Sequence, residues 1–187
     1  EKQPSLQFTT PEQLGELAVE LVGQSAALGS QFRHPTRAAI AGLLRQMNSY
    51  YSNLIEGHNT HPRDIDRALS ADYSSDPYRR DLQFEARAHI EVQQMIDESV
   101  GDMPRPPASR AFIEWTHREF CARLPESLLV VENPDTKDRI PVVPGELRSR
   151  TVAVGRHVAP AADELSAFVR RFEEAYDAVR LTKPRQV

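Results

Sequence analysis

The sequence contains very little cysteine and no surplus of positive charge. Its single cysteine, Cys121, cannot form an internal disulfide, which is typical of proteins in the reducing cytoplasm. The 23 Lys and Arg residues are outnumbered by 27 Asp and Glu residues, for a formal net charge of -4. This balance argues against nucleic acid or an anionic membrane surface as a partner. No apolar run approaches the roughly 18 residues of a transmembrane helix, so we expect no membrane span.

Glycine is also scarce, with 8 Gly against 14 Pro. The sequence has no Walker loop, no dinucleotide-binding fingerprint and no nucleophile elbow, which excludes the commonest glycine-dependent nucleotide and hydrolase sites. What it does have is 40% hydrophobic and 27% charged residues in 187 positions, which describes an ordinary globular domain.

Apolar residues recur every three or four positions in six stretches, each of which predicts an amphipathic helix. Four of these stretches open at a proline, which is favoured in the first helical turn: Pro11, Pro62, Pro77 and Pro160. A fifth helix is predicted to end before Pro125. The clearest helix covers about residues 36–56, where Gly57 is predicted to stop it in the C′ position.

Near the C-terminal third the period changes to short valine-rich runs bounded by turn residues: Leu128–Val131, Ile140–Val143 and Thr151–Val154. These predict a small β-hairpin at about residues 139–155. A loop through Gly29 and His34 is expected after the first helix. In the last helix the aromatic stripe is predicted to lie in the core: Phe168, Phe172 and Tyr176. The predicted fold is therefore mainly α, a bundle of about six helices with one small hairpin.

The end of the second helix breaks a local rule. Glu56 stands in its last turn, at the negative end of the helix dipole, where a carboxylate is disfavoured by about 0.3 to 1 kcal/mol relative to a cation. Ser52 precedes it by four residues and shares its face. Two interpretations stay open at this point: a solvated surface glutamate, or a functional carboxylate that a positive group elsewhere compensates.

The stretch Ser52-Asn53-Leu54-Ile55-Glu56-Gly57 resembles the inhibitory-helix motif of Fic proteins, (Ser/Thr)-x-x-x-Glu-(Gly/Asn). A second stretch is similar to the flap of that family, from Pro144-Gly145-Glu146-Leu147-Arg148 through Val152-Ala153-Val154-Gly155-Arg156-His157 to Pro160. The resemblance covers about residues 36–180.

This resemblance implies a protein adenylyltransferase, which moves AMP from ATP to a hydroxyl of a target protein with Mg²⁺. It implies that Glu56 competes with the ATP γ-phosphate for an arginine, that Ser52 positions Glu56, and that Gly57 ends the inhibitory helix. The backbone of Val152, Ala153, Val154 and Gly155 would line the nucleotide site. The edge of the flap would receive a segment of the target protein by strand addition.

The catalytic motif of the family, His-x-Phe-x-(Asp/Glu)-Gly-Asn-Gly-Arg, does not occur in the chain. Without it there is no general base and no phosphate cradle, so we expect no catalytic residue here and no activity from this chain alone. ATP and Mg²⁺ are expected only for a full-length protein that continues past Val187 into the motif. We expect an N-terminal helical region at 1–104 and the first part of a Fic core at 105–187. The alternative is a non-catalytic helical interaction module, and a homodimer is compatible with either.

Three further groups carry open interpretations. His58, His61 and Asp64 have the spacing of metal ligands, but the helix boundaries between them make a metal site improbable. His117 and Cys121 lie four apart on one predicted helix, where a buried structural cysteine is favoured over a reactive thiol. Four arginines surround the hairpin and either meet a phosphate or acidic target or protect an exposed strand edge: Arg139, Arg148, Arg150 and Arg156.

Overall fold

The computed structural model describes residues 11–99, 106–133, 136–154 and 157–176. These residues form six α-helices: α1 Pro11–Ser30, α2 His34–Ile55, α3 Pro62–Leu69, α4 Pro77–Glu98, α5 Arg110–Cys121 and α6 Leu165–Ala175. They also form four short strands: β1 Val130–Glu132, β2 Arg139–Pro141, β3 Ala153–Val154 and β4 His157–Val158. Short 3₁₀ turns occupy Glu126–Leu128 and Ala162–Glu164. The predicted class, mainly helical with about six helices, is confirmed.

The chain forms two compact units, residues 1–44 and 45–187, so that α2 belongs partly to each. In the first unit α1 runs through Gly29 to Ser30, and the connection to α2 is only 31–33. The loop predicted through Gly29 is therefore shorter than expected, because a single glycine is tolerated within a helix. Thr10 stands directly before Pro11, in the position where the sequence predicts the N-cap of α1, and it lies outside the described residues. The apolar side chains of α1 are exposed: Leu14, Leu17, Val19, Leu21, Val22 and Leu28.

The core of the second unit lies between α3 and α4. Asp76 caps α4 by accepting a hydrogen bond from the Arg79 amide at 2.9 Å, and Pro77 follows it in the first turn, as predicted. Ile65 of α3 is 1% exposed and packs on buried residues of α4, with the ring of Tyr50 against the same cluster. The apolar face of α4 is buried along its length: Leu82, Ala86, Ala88, Ile90 and Val92.

Gln83 is a fully buried polar side chain on α4, and each end of its amide is used. Its Oε1 accepts from the Ser74 amide at 2.7 Å, and its Nε2 donates to the carbonyls of Asp64 and Asp72 at 3.0 and 3.2 Å. One side chain therefore satisfies three backbone groups of α3 and the loop after it, which a buried amide must do to offset its desolvation.

The strands form two separate two-stranded antiparallel sheets. Strand β1 pairs with β2, with Val131 opposite Ile140, and β3 pairs with β4. The prediction of one hairpin at about 139–155 is therefore wrong in its pairing. Strand β2 pairs with β1, which precedes it, and β3 pairs with β4, which follows it. After β2 the ladder continues by one hydrogen bond, from the Val142 amide to Leu129 O at 2.8 Å. Pro144 has no amide hydrogen with which to extend it.

The aromatic stripe of α6 has the predicted helical period but not the predicted burial. Phe168, Phe172 and Tyr176 are 47%, 45% and 58% exposed. The expectation that they form part of the core is wrong for the described residues, because periodicity identifies an apolar face and does not supply an element to cover it. None of the helices in the described ranges combines the length and apolar character needed to cross a membrane.

Candidate functional site

The end of α2 carries the candidate inhibitory residues Ser52, Glu56 and Gly57. Gly57 has φ +80, and the amide of His58 donates to Asn53 O at 2.7 Å while the amide of Gly57 donates to Leu54 O at 3.1 Å. This pair of hydrogen bonds is the Schellman motif with glycine at C′, as the sequence predicts. The Glu56 amide donates to Ser52 O at 3.2 Å, so Ser52 contributes its backbone to the last turn.

The carboxylate of Glu56 is exposed, and it has no ion pair within the described part of the chain. The dipole of α2 therefore disfavours it without compensation from these residues. The side chain of Ser52 is also exposed. The end of α2 thus presents a carboxylate to solvent on a well-defined helix terminus.

The terminus itself is held in place by contacts within the second unit. Asn53 Nδ2 donates to Thr60 Oγ1 at 3.0 Å, and Thr60 is buried. His58 Nδ1 lies 3.2 Å from Glu85 Oε2 on α4. One turn earlier, the buried Ser49 hydroxyl donates to Ala86 O at 3.4 Å. These contacts fix the position from which Glu56 projects.

The candidate nucleotide residues lie at the start of the β3–β4 sheet. Val152 precedes β3 and is 42% exposed, while Ala153 and Val154 form the strand itself. Gly155 and Arg156 lie outside the described residues. Among the described residues no hydrogen bond or ion pair joins Glu56 to Val152, and the sequence has no phosphate-binding loop.

A junction between α5 and the start of the predicted flap was not apparent from sequence. The Gly145 amide donates to His117 Nδ1 at 2.9 Å, and Gly145 is buried with φ +81. A Cβ at this position would lie 2.8 Å from Arg118 Nε and 3.1 Å from Arg118 Cβ. We call this pair of residues, His117 and Arg118, the α5 seat. The hydrogen-bonded residues His117 and Gly145 are 28 positions apart, and no local sequence pattern connects them.

The arginines around the predicted flap differ in their surroundings. Arg148 donates from its two terminal nitrogens to the carbonyls of Arg150 and Pro160. Its guanidinium therefore closes the loop that contains β3 and β4, which is a structural role. Arg139 and Arg150 are exposed, so for them both interpretations stay open. These two carbonyls use two of the five N–H donors of the Arg148 guanidinium.

Cys121 is buried, at 3% exposed, and burial raises the pKa of its thiol. Its Sγ lies 3.3 Å from His117 Nε2. Because a reactive cysteine needs its thiolate, the burial and the raised pKa support the interpretation of Cys121 as a structural residue.

The possible metal ligands go to different partners. His58 pairs with Glu85, His61 caps α3 by accepting from the Arg63 amide at 3.2 Å, and Asp64 lies 3.6 Å from Arg67. Among the described residues no three His, Cys, Asp or Glu side chains gather in a way that could hold a metal ion.

Comparison with protein-family models, with curated proteins and with solved structures found no match to this chain.

Proposed function

We propose that this chain is the N-terminal regulatory and flap portion of a Fic-family protein adenylyltransferase, held inactive through Glu56. The full protein would transfer AMP from ATP to hydroxyl groups of a target protein, with Mg²⁺, in the cytoplasm. The chain alone would be inactive, because it contains no catalytic motif.

One observation carries the proposal. Glu56 projects from a helix terminus that three contacts hold in place, yet it has no ionic partner in the described part of the chain. A carboxylate at the negative end of its own helix dipole destabilises the helix. The same carboxylate is well placed to bind a cation from another segment of the protein. An arginine of the catalytic motif would be that cation, and ATP phosphate would compete with Glu56 for it.

The first test is the gene itself. The proposal requires the motif His-x-Phe-x-(Asp/Glu)-Gly-Asn-Gly-Arg shortly after codon 187. A natural protein without this motif would overturn the proposal that the full-length protein is an adenylyltransferase.

The second test is AMP transfer by the full-length protein with labelled ATP and Mg²⁺. We expect Glu56→Gly and Glu56→Gln to raise the rate roughly ten- to a hundredfold, the range of about 1.5 to 3 kcal/mol for a hydrogen bond to a charged group. Glu98→Gly is the matched control, because Glu98 also ends a helix and is exposed. A rate that rises equally in the control, or in neither variant, would contradict an inhibitory role for Glu56.

The alternative is a non-catalytic helical interaction module, and the exposed apolar face of α1 favours it. Leu17, Leu21 and Val22 are 55%, 69% and 69% exposed. Such a module would bind no ATP in its natural full-length form. Titration of that protein with ATP and Mg²⁺ by calorimetry discriminates between the two: measurable binding that Glu56→Gly strengthens supports the adenylyltransferase.

A further inference from the structure

We propose that His117 is the positioning residue of the flap, and that it acts by accepting a hydrogen bond from Gly145, in the turn where the flap begins. The inference rests on the function proposed above, in which the flap receives a segment of the target protein. His117 lies on α5 and does not belong to any group that the resemblance assigns to the site. Its contact with the turn is 2.9 Å long.

The hydrogen bonds define the state of the imidazole. A ring nitrogen accepts a hydrogen bond only when it carries no proton, so His117 Nδ1 is unprotonated and the proton of the neutral ring is on Nε2. Nε2 lies 3.3 Å from Cys121 Sγ, one turn further along α5. The sulfur accepts from Nε2–H, so both ring nitrogens are used. The ring is thereby held in the orientation that aims Nδ1 at the turn.

The turn fits closely on the α5 seat. Gly145 adopts φ +81, and a Cβ there would meet three atoms of the Arg118 side chain within 3.1 Å. A side chain at this position would therefore require the Arg118 side chain to move or the turn to shift on α5. Gly145 is buried, and within the described residues His117 Nδ1 is the one acceptor for its amide. A buried amide without a partner costs roughly 1 to 3 kcal/mol, so the turn is stable in this place only while His117 accepts.

The seat matters because, for the described residues of 146–160, the hydrogen bonds of the segment run mainly within it. Arg148 joins Arg150 O and Pro160 O, and the Ala159 amide donates to Val152 O at 3.0 Å. These contacts give the segment its shape, but they are internal to it. His117 is the contact through which α5 determines where the segment begins.

Hydrogen exchange on this chain, followed residue by residue by NMR, tests the inference without any need for activity. In His117→Asn the side-chain oxygen can occupy the place of Nδ1, whereas in His117→Gln the polar atoms reach the place of Nε2. We expect His117→Gln to speed exchange of the Gly145 amide about five- to tenfold, and His117→Asn to keep it close to wild type. The Val142 amide, which donates to Leu129 O at 2.8 Å, is the internal reference for a folded chain.

Three results would overturn the proposal. Equal exchange of Gly145 in all three proteins would show that the hydrogen bond does not hold the turn. Equal loss of protection in both variants would show that His117 acts only by packing. In the full-length enzyme, His117→Gln is expected to raise the KM for the target protein severalfold and to leave the KM for ATP unchanged, with His117→Asn unaffected. An unchanged target KM would refute positioning, whereas absence of transfer by the wild-type enzyme would instead refute the proposed function.

Discussion

The two glycines with positive φ offer a direct test of how tightly the turn at Gly145 packs on α5. Gly57 and Gly145 have nearly the same φ, +80 and +81. A Cβ on Gly57 would meet no atom within 4 Å, whereas one on Gly145 would lie 2.8 Å from Arg118 Nε. Alanine at the two positions therefore pays the same conformational penalty, and only Gly145→Ala adds a steric overlap.

The magnitudes follow from this contrast. A left-handed conformation costs alanine about 1 to 2 kcal/mol, part of which is offset because alanine also restricts the unfolded chain by about 0.4 to 1 kcal/mol. We expect Gly57→Ala to lower the free energy of unfolding by about 1 kcal/mol. Overpacking adds roughly 1 to 3 kcal/mol, so Gly145→Ala should lower it by about 2 to 4 kcal/mol. In a chain of this size each kcal/mol corresponds to about 2 to 4 °C in Tm.

The assay is urea unfolding of wild type, both single variants, Arg118→Ala, and the double variant Gly145→Ala with Arg118→Ala. Two of the three short contacts come from Arg118 Nε and Nη2, which Arg118→Ala removes. The double-mutant cycle should therefore show a favourable coupling on the order of 1 to 2 kcal/mol. If Gly57→Ala destabilises the chain as much as Gly145→Ala, or if the coupling is zero, the turn does not press on α5 as described.

Three smaller effects should also be measurable by urea unfolding. Ile65→Val should cost about 0.5 to 1.5 kcal/mol because Ile65 is 1% exposed, whereas Ile55→Val, at a position 82% exposed, should change little. Asp76→Ala removes the N-cap of α4 and should cost about 0.5 to 2 kcal/mol; an unchanged midpoint would contradict the cap. The hydrogen bond from Arg67 lowers the pKa of Asp72 in the folded chain. The ionised carboxylate therefore stabilises the folded state at pH values above its unfolded pKa, which is about 3.9. That contribution is lost as the pH falls through the lower pKa of the folded state. Asp72→Asn should flatten the stability profile in that acid range, and a profile identical to wild type would argue against the pair.

The helix boundaries could be predicted from sequence wherever they depend on local chemistry. Asp76 and Pro77 mark the start of α4 because the cap and the proline act within one turn. Gly57 marks the end of α2 because glycine, which has no Cβ, adopts a positive φ without steric cost. The predicted inhibitory helix, about 36–56, differs from α2, His34–Ile55, by no more than two residues at either end.

The features that sequence reasoning missed depend on partners distant in the chain. The pairing of β2 with β1 could not be distinguished from pairing with β3 by the valine runs, because all three runs are short and valine-rich. The exposure of Phe172 could not be foreseen from the period of α6, since burial requires a covering element. The bond from Gly145 to His117 has no signal at all, because a histidine on a helix gives no indication of which distant amide it accepts.

Gln83 has a consequence for how this protein can change over evolutionary time. Its amide constrains the length of the chain between Asp64 and Ser74, because one side chain must reach Asp64 O, Asp72 O and the Ser74 amide at once. Insertion or deletion of a residue between α3 and α4 would break at least one of these hydrogen bonds to the buried Gln83 amide. Loop length here and the residue at position 83 are therefore expected to vary together, so a descendant with a longer loop should have abandoned glutamine as well.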